Sequence, residues 1–220
     1  MPLAMAPSLD FLQEPPLPVP TPYYFSLSPG VSLPMVLKRP HRFFIETGPR
    51  RLLDDVLAHM RAELPDFALN LSNGSAYGGT LAACAAMAME ERFWLPPSRR
   101  MPIVTCLHEA VSNAVIHGNL GVGNPADTPE GFDEYYAHIA TLANREPYCS
   151  RRIGIHGWYN ERYFKISVSD KGSGFTDASV LDRIPDIRSR HGRGLFLIHS
   201  MADRVWIERD NRTLSMIFNH

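Results

Sequence analysis

Ile103, Cys106, Leu107, Ala110, Val111, Ala114 and Val115 recur at i, i+3, i+4, i+7, i+8, i+11 and i+12. That spacing writes one continuous apolar stripe along a helix, and a stripe of this length must be covered by other elements. It predicts a core-facing helix over about 102–117. Glu109 and Asn113 lie four residues apart and project side by side from one flank of the stripe. A carboxylate beside a carboxamide suits a magnesium-nucleotide site: the Asn oxygen can ligate a hard cation, and the Glu can accept a proton from a hydroxyl or water attacking a phosphate. The same pair also reads as an ordinary solvated helix face.

Around this helix the pattern predicts a strand at 41–46, a helix over 49–64, a Gly/Ser/Asn-rich loop over 66–80 and a helix over 80–94 that ends at Pro96-Pro97. A further helix is expected over 132–144. Ile153 and Ile155, then Phe164, Ile166 and Val168, alternate as two strands joined by a turn. A helix from 194 to about 202 precedes a closing hairpin of 205–208 and 214–218. Helices first, then strand pairs with one helix between them, favour an α+β fold: a two-layer sandwich whose mixed, mostly antiparallel sheet is covered by helices on one face. Ten of the 19 prolines fall within residues 1–40. Proline fixes φ and removes a backbone donor, so that stretch is expected to be an extended, poorly paired tail or linker, with one domain over 41–220.

Two glycine motifs follow the stripe helix. Asp170-Lys171-Gly172-Ser173-Gly174-Phe175 comes directly after a strand. Its glycines allow positive φ and close approach of a flat ligand, and its carboxylate can accept a hydrogen bond from an exocyclic amino group, as adenine recognition requires. It also reads as a tight turn. His191-Gly192-Arg193-Gly194-Leu195 opens a helix, where free N–H groups attract phosphate oxygens and Arg190 and Arg193 can add charge. A loop that merely needs glycine reads the same way.

Composition removes several classes. Twenty-two basic against 23 acidic residues give a net charge of −1, which supplies no electrostatic reason for a direct nucleic-acid partner. Cys84, Cys106 and Cys149 have neither disulfide-framework nor zinc spacing. The apolar run 81–89 is too short to span a bilayer, and no signal-peptide pattern opens the chain, so a cytoplasmic location without membrane association is expected. His108-Glu109 begins an H-E-x-x-H motif, but Ser112 stands at the second ligand position. There is no G-x-x-x-x-G-K-[ST] loop.

Glu109-Ala110-Val111-Ser112-Asn113-Ala114-Val115-Ile116-His117-Gly118 resembles the N box of the GHKL superfamily of ATP-binding proteins. Asp170 to Phe175 resembles its first glycine box, and Gly192 to Leu195 its second. The strongest likeness is to the anti-sigma-factor serine/threonine kinases of bacterial partner-switching systems, over about 107–218. The resemblance implies a Bergerat-type fold that binds ATP with Mg²⁺. Glu109 would be the general base, Asn113 the magnesium ligand and Asp170 the adenine anchor. Gly172 and Gly174 would hinge a short lid, with Gly192 and Gly194 at the phosphates. Thr213 or Ser215 would assist at the adenine, although the usual Gly-Thr is missing from 210–213. The implied partners are an antagonist protein and a sigma factor, with a homodimer expected by the same resemblance.

The segments 66–100 and 119–151 read as inserts able to form partner surfaces. That leaves open a non-catalytic, ATP-gated binding module. A histidine-kinase-like catalytic domain is a further alternative, but little room exists before the N box for a dimerisation domain.

Overall fold

The computed structural model describes residues 24–28, 32–48, 50–77, 80–126, 128–175, 181 and 193–220. Seven strands form one sheet: β1 (Tyr24–Leu27), β2 (Phe43–Glu46), β3 (Phe67–Ser72), β4 (Arg152–Tyr159), β5 (Tyr163–Ser169), β6 (Arg204–Ile207) and β7 (Thr213–Asn219). Their order is β1-β2-β3-β4-β5-β7-β6. β1, β2 and β3 run parallel, and the remaining pairs are antiparallel. The expected α+β fold with a mixed, mostly antiparallel sheet is observed, but its helices are not confined to one face as expected.

Alternation decides which face is buried. Ile153 and Ile155 on β4, Phe164, Ile166 and Val168 on β5, and Leu214, Met216 and Phe218 on β7 enter one core. The helices α4 (Leu81–Phe93), α5 (Pro97–Asn113) and α7 (Gly194–Met201) cover that face. All seven stripe residues named above are buried there, between 0% and 6% exposed. One helix, α2 (Arg50–Glu63), packs instead on the opposite face, where Met60, Val56 and Leu57 meet Phe43, Ile45 and Ala68. Parallel neighbours such as β2 and β3 need a crossover between them, and α2 is that crossover.

Three further expectations are corrected. The 66–80 stretch is not all loop, because Phe67, Leu69 and Leu71 alternate into the core and make β3 a central strand. Only beyond it does the Gly/Ser/Asn content act locally: Ser72 Oγ accepts from Ser75 N at 3.3 Å and caps the short α3 (Asn73–Ala76). Within the proline-rich stretch, Tyr24–Leu27 is paired rather than free, since this proline-free run keeps the N–H groups that pairing with β2 requires. Leu27, Val36 and Leu37 join the core, Val36 from the short helix α1 (Leu33–Val36). Arg92 clamps the following turn by donating to the carbonyls of His41, Leu37 and Arg39. Residues 1–23 and 29–31 lie outside the described residues.

The stripe helix is the third correction. It begins at Pro97, five residues early, with Pro102 inside it, and its α-helical part stops at Asn113. A π-helical turn, Ala114–Asn119, continues it, with Leu120 N donating to Val115 O at 2.9 Å. The insert after it contains α6 (Pro129–Ala143), which Thr128 caps by accepting from Gly131 N at 3.1 Å. Among the described residues no helix is long and apolar enough to cross a membrane.

Candidate nucleotide-binding site

Glu109 and Asn113 leave α5 half-buried, on the flank that meets the start of α7. The contact is close: a Cβ on Gly194 would sit 2.5 Å from Glu109 Oε2 and 3.6 Å from Asn113 Nδ2. Glycine lets the first residue of α7 approach without displacing the Glu109 carboxylate, and it brings the amides of that helix end beside the acid-amide pair. His108 Nδ1 lies 3.6 Å from Glu109 Oε1.

Asp170 follows β5 and is 8% exposed. Its Oδ1 accepts from Gly172 N at 2.7 Å, and among the described residues no donor reaches Oδ2. Burial raises its pKa; the Gly172 amide, Arg212 and Lys171 offset this in part, and the charge of Asp210 adds to it. The carboxylate lies against the far end of the stripe helix, where a Cβ on Gly118 would fall on the Asp170 carboxyl group. A Cβ on Gly172 would collide with the Gly118 carbonyl in turn. Gly174 has φ +82° and its Cβ would stand 2.5 Å from the Asn211 carbonyl, while Phe175 N donates to that carbonyl at 2.7 Å. The Asp170 motif is thus a tight turn and a carboxylate cradle together, pinned between the stripe helix and the β6–β7 turn.

One helix therefore joins the chemistry-bearing elements, touching α7 through Glu109 and Asn113 and the Asp170 loop through Gly118. Residues 130–218 match the model of a histidine kinase-like ATPase domain. That match supports the GHKL superfamily and an ATP-binding, kinase-like function. It covers less than half of the chain, and it contains Asp170, Gly172, Gly174, Gly194 and Thr213 but neither Glu109 nor Asn113. No curated protein matches the chain.

The remaining expected site residues divide. Arg193 is exposed, and its side chain makes no capping hydrogen bond to α7. Arg190 and Gly192 lie outside the described residues, as does most of the expected lid at 176–180 and 182–192. Thr213 is engaged elsewhere, its Oγ1 donating to Asp210 Oδ2 at 2.8 Å within the hairpin turn. His117 donates from Nδ1 to the Val122 carbonyl at 2.7 Å. A cavity of about 130 Å³ opens on the neighbouring flank of α5, lined by Tyr77, Leu81, His108, Ser112 and Val115 among others, and shares no residue with the expected site residues.

The residues present fit a magnesium nucleotide. A buried carboxylate with an open oxygen suits an amino group of a base, and glycines keep both contact points clear. Among the described residues no cluster of three acidic, His or Cys side chains exists. Mg²⁺ is commonly held by one or two side chains with phosphate oxygens and water completing the shell, and the Asn113 amide oxygen suits that role. Sequence reasoning missed the supports of this site, Asn73, Asn119 and Arg152. Their signal was faint: polar residues that become buried only when three distant segments meet.

Proposed function

We propose that this protein is an ATP-dependent serine/threonine kinase of the anti-sigma regulatory kind, which phosphorylates a small antagonist protein and also holds a partner such as a sigma factor. The observation that carries this reading is the approach of α7 to Glu109 and Asn113 on the same helix whose other end abuts Asp170. Asp170 would accept from the adenine amino group, and the N-terminal amides of α7 would meet phosphate oxygens. Asn113 would hold Mg²⁺, which when bound neutralises phosphate charge. Glu109 would take the proton from the serine hydroxyl as its oxygen bonds to the γ-phosphorus and the bond from phosphorus to the ADP oxygen breaks.

The test uses the full chain, Mg²⁺, γ-labelled ATP and a candidate antagonist. Phosphoserine on the antagonist is the expected product, and Glu109→Ala should form very little of it. No product, or equal product from the variant, rejects the kinase reading.

A second reading is a binding module whose conformation ATP sets without phosphotransfer. It is favoured by Met87, Trp94 and Met101 on α4, its end and α5, which are 53%, 76% and 67% exposed. Large apolar side chains left in water along one helical layer suit a protein partner. Capture of the same partner by wild type with ATP, but not by Asp170→Asn, supports nucleotide control; equal capture argues against it.

A further inference from the structure

The π-helical turn lies outside the chemistry assigned above, yet it is the part of the stripe helix that touches the Asp170 loop. Its last residue, Asn119, is fully buried. A π turn bonds i to i+5, so the side chains after it lag the directions an α-helix would give them. Here the lag leaves Gly118 against the Asp170 carboxyl group and carries the Asn119 amide into the protein.

That amide is fully used. Its Oδ1 accepts from Lys171 N at 2.8 Å, and its Nδ2 donates to Asn73 Oδ1 at 3.1 Å and to the Arg152 carbonyl at 3.2 Å. Arg151 Nη1 also donates to the Asn119 carbonyl. Lys171 is the residue between Asp170 and Gly172, so the bond from Asn119 fixes the peptide unit that carries the base-reading carboxylate. Asn73 Nδ2, also buried, has no partner among the described residues, so the Asn73 amide can turn over and donate if an acceptor replaces the Asn119 nitrogen.

We infer that Asn119 is the positioning residue of the base-reading loop: its Oδ1 holds the Lys171 amide and thereby aims Asp170 at the amino group of the purine. This rests on the ATP reading and deepens it, because it says what gives the site its choice of base. A residue that merely stabilised the fold would affect every nucleotide alike. A residue that aims Asp170 affects only nucleotides with the amino group.

The experiment titrates ATP and inosine triphosphate, which lacks that amino group, into the full chain with Mg²⁺ by calorimetry. Wild type should bind ATP about tenfold or more tighter than inosine triphosphate, the size of one charge-assisted hydrogen bond. In Asn119→Ala the ratio should fall to about threefold or less, with inosine triphosphate affinity within about threefold of wild type. Asn119→Asp keeps the acceptor for Lys171 and lets Asn73 donate, but it turns an oxygen towards the Arg152 carbonyl, so it should be less stable than wild type while discriminating better than Asn119→Ala.

Retention of the full ratio in Asn119→Ala overturns the inference, as does an equal loss of both nucleotides. If circular dichroism shows that Asn119→Ala does not fold, Asn119→Ser takes its place, since its hydroxyl is too short to reach the Lys171 amide. If that variant also fails, Asn119→Asp decides, and loss of discrimination in it refutes the role. Wild type that binds both nucleotides equally refutes the assignment of Asp170 itself, a result separable from failure of the Asn119 role.

Discussion

At the scale of single residues, Asp170 and Glu109 should separate binding from chemistry. Asp170 offers a desolvated carboxylate, and losing a charge-assisted hydrogen bond in such a place costs about 1.5–3 kcal/mol. Asp170→Asn should therefore weaken ATP about tenfold or more in a calorimetric titration. Glu109→Ala should leave that titration nearly intact and lower phosphotransfer by about 10²–10⁴-fold, read in single-turnover assays. Equal loss of affinity in both variants would contradict the division of roles. Asp170 also sets a pH dependence. Its folded pKa is raised, chiefly by burial, so its ionised form costs the free protein stability above that pKa, and the cost is relieved as pH falls towards the unfolded value. ATP needs the ionised carboxylate, so affinity should fall as pH drops through the same window, which lies above the ordinary aspartate range. Asp170→Asn should flatten that profile, and a titration series from neutral pH downward measures both slopes. Glu109 and Asn113 were legible from spacing alone. Asn119 was not, because its value depends on Lys171 and Asn73, 52 and 46 residues away.

At the scale of elements, α5 serves as both core and scaffold. Leu107 is fully buried in the middle of its stripe, and Leu107→Ala should cost about 2–5 kcal/mol in urea-induced unfolding, through lost burial and the cavity left behind. The same periodicity that makes α5 a core helix fixes where Glu109 and Asn113 emerge, so the helix could be read directly from sequence. Its continuation could not. Neither propensity nor periodicity marks the change from α to π at Ala114, which is settled by Gly118 packing on Asp170 and by the bonds Asn119 finds. The strand β3 was missed for a related reason: a six-residue run interrupted by Asn70 and followed by Asn, Gly and Ser resembles a loop until neighbours on both sides supply the ladder. Asn70 within it accepts from Arg152 Nε at 2.6 Å, a polar residue made tolerable in a central strand by a partner 82 positions away.

For the whole molecule, a ligand that binds only the folded state raises stability by mass action, about 2.7 kcal/mol at a hundredfold excess over its dissociation constant. ATP with Mg²⁺ should therefore raise the melting temperature of the wild-type chain. At the same concentration Asp170→Asn should show a clearly smaller rise by scanning calorimetry; an identical rise would detach Asp170 from the site. Sequence by itself determined the apolar stripe, the alternating strands β4, β5 and β7, and the acid-amide pair and glycine motifs, because each is encoded by periodicity or by the conformational freedom of one residue type. Only the tertiary structure decided that β1 and β3 join the sheet, that α2 crosses its other face, and that a π turn carries Asn119 to the Asp170 loop. Those outcomes depend on hydrogen-bond partners and steric contacts between segments far apart in the chain, and no local pattern records which distant group will meet a given amide.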